Sequence, residues 1–280
     1  MKTIRTIPEL REALHDHGDV GLVPTMGAFH DGHLSLIRAA RAESELVVVS
    51  LFVNPTQFAE SADLDRYPRD EERDADVAEA EGVDVLFAPS VQELYPPGLQ
   101  TWVEVEELSR GLEGAFRPGH FRGVATVVMK LFGIVQPDRA YFGEKDAQQL
   151  AIIRRLVADL NVPVQIVGVP TVREPDGLAL SSRNAQLGPA ERQSAIALFR
   201  ALQTADRQIA GGDTDAEHVK RVAAAEIPHD NPSLRLEYLE IVDPENLQPV
   251  TVITGPVRVA GALWVGSTRL IDNVLSVQKA

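Results

Sequence analysis

Between residues 20 and 170, short β-branched and apolar runs alternate with stretches whose apolar positions recur every three or four residues, and nothing else in the chain restricts its fold as much. Val20 to Thr25 is an apolar run broken by Pro24. After a glycine-bearing turn comes HLSLIRAARAES, with Leu34, Ile37 and Ala40 at helical spacing. Leu46 to Val53 (LVVVSLFV) is almost continuously apolar, as expected of a parallel strand covered on both faces. A polar segment follows, then a charged helix over about 71–81 stopped by Gly82, and the strand VDVLFA. The spacing next predicts a helix over 121–135, a short strand over 140–142, a helix over 146–160 and a strand in VPVQIVGVPT.

Five strands separated by helices predict an α/β fold: a Rossmann-like, doubly wound parallel sheet with right-handed crossovers. Ligands of such sheets lie outside the carboxyl ends of the strands, so the loops after strands should carry the chemistry. Beyond Pro170 the texture changes. Helices are expected over 189–209 and 216–225, and β-rich stretches over 234–242 and 257–275 have no helices between them. The expected organisation is a first domain over 1–171 and a smaller C-terminal α+β domain over 172–280.

Charge narrows the partners. Lys and Arg total 27 against 41 Asp and Glu, a formal net charge of −14, which disfavours binding to nucleic acid because that requires neutralising many phosphates. A small anion held by a few basic residues in a cleft remains compatible with this field. The absence of cysteine excludes disulfides and thiolate metal sites. With no signal-like first segment and no stretch of membrane-spanning length, a cytoplasmic location and no membrane partner are expected.

Three loops carry anion-binding residue types. PTMGAFHDGH (24–33) ends the first strand and opens a helix; His30 and His33, three apart, fall on one side of its first turn beside helix-terminal N–H groups. One histidine as a cap and the other in solvent is the plainer alternative. A zinc site lacks a third ligand at suitable spacing. YFGEKDAQQ (141–149) offers Gly143 for a tight turn, Lys145 as a point charge and Gln149 one turn further on. TVREPDGLALSSRN (171–184) sets Ser181, Ser182 and Arg183 in a row, two hydroxyls and a guanidinium suited to phosphate oxygens; a helix cap with an exposed Arg is equally compatible. Asn54 and Gln57 in FVNPTQF, and Arg117, His120 and Arg122 in FRPGHFRG, are further polar groups at a strand end and in a basic cluster.

PTMGAFHDGH, FVNPTQF, DLDRYPRD, RPGHFRG, YFGEKDAQQL, VPTVREPDGLALSSRN and RLIDN, in this order along nearly the whole chain, resemble the pantothenate synthetases, the pantoate–β-alanine ligases. The resemblance implies condensation of pantoate with β-alanine at the expense of ATP, through a pantoyl adenylate, giving pantothenate, AMP and pyrophosphate. It further implies kinship with nucleotidylyltransferases and class I aminoacyl-tRNA synthetases, whose His-x-Gly-His signature matches His30-Asp31-Gly32-His33. On these positions, Met26, Gly27, Ala28, Phe29, His30, Asp31, Gly32 and His33 would line the ATP site. His30 and His33 would stabilise the transferring phosphate, with His33 at the proton-donor position.

Gly143, Glu144, Lys145 and Asp146 would also contact ATP, as would Val172, Leu180, Ser181, Ser182 and Arg183. Lys145 is the third catalytic candidate, and Gln57 and Gln149 would hold pantoate, with Gln57 near the β-alanine entry. Asn54, Tyr67 and Arg117 are secondary candidates. Mg2+ is expected with the triphosphate, without assigned ligands, and a homodimer is implied. Residues 54–70 are expected to form a lid. The alternative chemistry is transfer of AMP to a phosphate-bearing small molecule.

Overall fold

Six parallel strands, β1 (Lys2–Ile4), β2 (Val20–Thr25), β3 (Leu46–Leu51), β4 (Val85–Phe87), β5 (Arg139–Gly143) and β6 (Gln165–Val169), form one sheet in the order β1-β4-β3-β2-β5-β6. The computed structural model describes residues 1–58 and 61–278. The nearly continuous hydrophobicity of β3 has a direct cause. Leu22, Val48, Val85 and Phe87 enter a core with Leu10 and Leu14 of the helix Ile7–Leu14 and with Val124, Val128 and Leu131 of the helix His120–Val135. Their neighbours Val23, Val47, Val49 and Leu86 enter a separate core with Leu36, Ile37 and Ala40 of the helix Asp31–Glu43 and Ala78 of the helix Glu71–Ala80. Successive residues of a strand point to opposite faces, so two covered faces favour an almost unbroken apolar run, and the one hydroxyl of β3, on Ser50, is itself buried.

The strand order places a switch point between β2 and β5. After β2 the chain passes to β3 and β4 on one side; after the helix His120–Val135 it returns to β5 on the other. The helix after β2 covers one face, whereas Leu150, Ile153 and Leu156 of the helix Ala147–Leu160 belong to the opposite core. Loops leaving β2 and β5 therefore diverge, the condition for a ligand crevice in a doubly wound sheet.

Sequence periodicity misses β1, because only Ile4 of its three residues is buried and an edge strand this short leaves no pattern. The single helix expected over 189–209 is two, Pro189–Ser194 and Ile196–Ala210. Neither glycine nor proline marks the break, and Ala195 keeps right-handed angles (φ −59, ψ −25), so nothing in the spacing betrays it. The stretch expected over 257–275 folds back as a hairpin, β8 (Val257–Val265) and β9 (Thr268–Ser276), joined through Gly266 and Ser267; β7 (Leu234–Val242) pairs antiparallel with β8. One face of this second sheet packs on the helix Ile196–Ala210, through Leu198, Leu202 and Ile209 against Val259, Leu263 and Val265.

Internal contacts divide the chain into two units, Met1–Glu144 with Gln149–Pro170, and Lys145–Gln148 with Thr171–Ala280. Of the lid expected over 54–70, Pro55–Gln57 is a short 3-10 helix and Ser61–Arg66 an α-helix, while residues 59–60 lie outside the described residues. Among the described residues no helix is long and apolar enough to cross a membrane.

Candidate active site

The chain leaves β2 through Met26 and enters the helix Asp31–Glu43 with His30 as its N-cap. The two histidines form a reciprocal cap. Gly32 N–H donates to His30 Nδ1 (3.1 Å) and His30 N–H to His33 Nδ1 (3.4 Å), and the ring centroids lie 4.2 Å apart. An Nδ1 that accepts cannot carry the proton, so each neutral ring bears its hydrogen on Nε2. The pair thus occupies the helix N-terminus as two adjacent imidazoles, tilted by 42°. Two N–H groups ahead of the helix have a partner within the protein. Ala28 N–H and Phe29 N–H donate to the two carboxylate oxygens of Asp74, at 2.7 and 2.8 Å. Phe29 turns its side chain into the core beside Val23 and Val49.

Asp74 is 1% exposed and was not legible as a site residue. It pins a strained turn in which Gly27 and Ala28 have φ of 85° and 55°. A Cβ on Gly27 would fall 2.7 Å from Asp74 Oδ2, so the close approach requires glycine. Asp74→Asn keeps the shape but turns one acceptor into a donor facing an N–H. We expect a loss of about 2 kcal/mol in urea unfolding, together with a slower reaction at the histidine turn; an unchanged midpoint would disprove the clamp.

Gln57 stands beside this turn, its Nε2 3.0 Å from Met26 Sδ. A buried set of groups fixes it. Asn54, 1% exposed, caps the turn Pro55–Gln57 and donates from Nδ2 to Gln57 Oε1 (3.0 Å) and to Gly123 O (3.2 Å). Tyr95 O–H donates to Asn54 Oδ1 (2.9 Å), and burial raises the Tyr95 phenol above its ordinary range, keeping it a donor. His120 Nδ1 lies 2.8 Å from Gln57 O, and Arg117 Nη1 lies 3.1 Å from His120 Nε2, so His120 donates from Nδ1. Gly123 lets the helix His120–Val135 approach, since a Cβ there would sit 2.5 Å from Thr56 O. The basic cluster is thus split in role. Arg117 and His120 brace the Gln57 turn, whereas Arg122 stacks on Trp102 (4.6 Å). Tyr67 packs edge-on against Phe58.

In the C-terminal unit, Lys145, Ser181, Arg183 and Asp272 line one depression together with Leu178, Ala179 and Leu198. Lys145 sits in the 3-10 turn Glu144–Asp146, its Nζ 3.6 Å from Asp146 Oδ1 and its side chain 17% exposed. Val172 and Leu180 pair across the base of a hairpin, Leu180 N–H donating to Val172 O (3.0 Å), and the strand then delivers Ser181. Ser181 does cap the turn Ser182–Gln186, its Oγ accepting from Arg183 N–H (3.3 Å). Gly143 ends β5, and Gln149 is half-buried on the helix Ala147–Leu160 of the N-terminal unit. Burial raises the Asp272 carboxyl, opposed by the Arg173 guanidinium.

A family model described as pantoate–β-alanine ligase matches residues 2–275. The chain belongs to that family. A pantothenate synthetase from Moorella thermoacetica is 53% identical over 279 residues, 98% of each chain. The crystal structure of pantothenate synthetase from Thermus thermophilus superposes with a TM-score of 0.94 at 50% identity, covering 98% of this chain and 99% of that one. A pantoate–β-alanine ligase from Francisella tularensis, solved with β-γ ATP and β-alanine, has a TM-score of 0.80 at 35% identity and covers 98% and 97%.

For a member of the pantoate–β-alanine ligase family, the residues that sequence reading missed are supports rather than contacts. Asp74 is one of five acids in EERDADVAEA, and only its place on the buried side with Ala78 distinguishes it. Tyr95 comes from a segment with no periodicity at all. Among the described residues no three His, Asp or Glu side chains gather as a metal site. An ion arriving with the triphosphate would be carried by phosphate oxygens and water.

Proposed function

We propose that this chain condenses pantoate with β-alanine at the expense of ATP. An oxygen of the pantoate carboxylate attacks the α-phosphorus in line, and the bond to the β-phosphate oxygen breaks, releasing pyrophosphate and leaving pantoyl adenylate. The β-alanine amine then attacks the carbonyl of this mixed anhydride; it loses a proton as the amide forms, and AMP departs. Neither step needs a covalent bond to the protein, so its part is positioning and charge stabilisation.

The observation that carries this reading is the paired-imidazole cap at the end of β2 with Gln57 held against Met26 beside it. The two rings present Nε2–H donors at a helix N-terminus, suited to charge moving from the α-phosphate onto departing pyrophosphate. Gln57, immobilised by Asn54 and His120, is suited to bind the pantoate hydroxyl or carboxylate, and Gln149 is assigned to the same substrate. Lys145, Ser181, Ser182 and Arg183 are assigned to phosphate oxygens, Gly143, Glu144 and Asp146 to the same nucleotide, and Val172 and Leu180 to its adenosine side. Mg2+ as counter-ion, a homodimer and a cytoplasmic location belong to the same proposal, supported by the family membership and the acidic, cysteine-free composition.

Omission of each substrate tests the order. Without β-alanine, ATP–pyrophosphate exchange should continue, and pyrophosphate release should stop at about one equivalent, the AMP moiety staying in the bound adenylate. Without pantoate, both should vanish. Exchange that needs β-alanine, or AMP release that ignores pantoate, would refute the two-step reading and favour AMP transfer to another acceptor.

A further inference from the structure

The segment RLIDN, residues 269–273 on β9, carries two consecutive buried polar side chains, Asp272 and Asn273, that the reaction does not use. Both are committed. Asp272 accepts both prongs of Arg173, Nη1 to Oδ2 at 2.5 Å and Nη2 to Oδ1 at 2.9 Å. Arg173 also donates to Gly177 O (3.1 Å) and Asn273 O (3.2 Å) and stacks on Phe199, which fixes the hairpin that leads into Ser181–Arg183. Asn273 takes the other segment. Its Nδ2 donates to the main-chain carbonyl of Lys145 at 2.9 Å, while Arg258 donates to its Oδ1 and so dictates which end of the amide is the donor.

Two segments far apart in sequence, the lysine turn and the paired-serine turn, are therefore moored to neighbouring residues of one strand. The mooring acts on the Lys145 carbonyl and on the hairpin, not on the side chains of Lys145, Ser181 or Arg183. Holding the Lys145 peptide fixes the root of a four-carbon stem whose charged end would otherwise sample many positions.

We propose that Asn273 is a positioning residue for Lys145, acting through the Lys145 carbonyl, with Asp272 and Arg173 doing the same for the Ser181–Arg183 turn. The proposal rests on the assignment of Lys145 to phosphate. Asn273→Ala should lower kcat for pantoate-dependent ATP–pyrophosphate exchange by about tenfold or more, with the KM for pantoate within about twofold of normal. Introduced into Lys145→Ala, it should add almost nothing, because the group it positions is gone. Asn273→Asp, equal in shape but without the donor, should reproduce the loss if the alanine variant folds poorly.

A normal exchange rate in both variants beside a slow Lys145→Ala overturns the positioning role and leaves the lysine assignment standing. A normal Lys145→Ala removes that assignment instead. Losses that multiply in the double variant, or insoluble protein from both substitutions, show that Asn273 serves only the fold.

Discussion

His33→Ala should slow adenylate formation by about a hundredfold to a thousandfold while the protein melts within a few degrees of normal. The two effects separate because His33 has two ends. Its Nδ1 accepts from His30 N–H at 3.4 Å, a long bond, so losing that half of the cap costs about 1 kcal/mol. The Nε2–H end is the one proposed to meet the phosphates, where a donor aimed at charge forming in the transition state would be worth far more. His33→Gln sharpens the test. A glutamine three residues after an N-cap can accept from the cap N–H, which restores the box without an imidazole. Stability should recover and the rate should not. Pyrophosphate exchange measured beside a thermal melt distinguishes the two, and a fast His33→Gln enzyme would reduce the histidine to a capping residue.

What the chain discloses before folding is what local chemistry dictates. β3 is legible because two covered faces favour a nearly unbroken apolar run, and the loop after β2 because a strand ending in PTMG must turn before HLSLIRAA can start a helix. His30, Lys145 and Ser181 stand out for the same reason: each opens a helical turn just past a strand or hairpin, where ligands of such sheets bind. Asp74 and Tyr95 do not stand out, and Asn273 is visible only as the end of RLIDN, without a role. Each acts on a group far along the chain, 46, 41 and 128 residues away, and in two of the three cases that group is a backbone atom present at every position. No residue pattern announces such a partner. The same holds for the turn before the helix: the N–H groups of Ala28 and Phe29 meet a carboxylate 46 and 45 residues along the chain, a partner that no local pattern betrays.

Lys145→Ala should produce the second large loss, about a hundredfold in exchange, falling mainly on kcat. The lysine is a point charge at 17% exposure, next to Ser181 and Arg183 in one depression of the C-terminal unit. Its nearest acid is Asp146 at 3.6 Å, itself 47% exposed, a pair worth at most about 1 kcal/mol to stability. The fold therefore depends little on this charge. If the ammonium neutralises charge gathering on pyrophosphate as the α-phosphorus bond breaks, it matters most in the transition state, and the KM for ATP should change much less than kcat. Lys145→Arg keeps the charge but replaces a compact ammonium with a rigid planar fork, so it should recover part of the rate only. A loss confined to the KM for ATP would instead mean that Lys145 binds the nucleotide equally well before and during displacement, and the catalytic role would pass to the histidine pair alone.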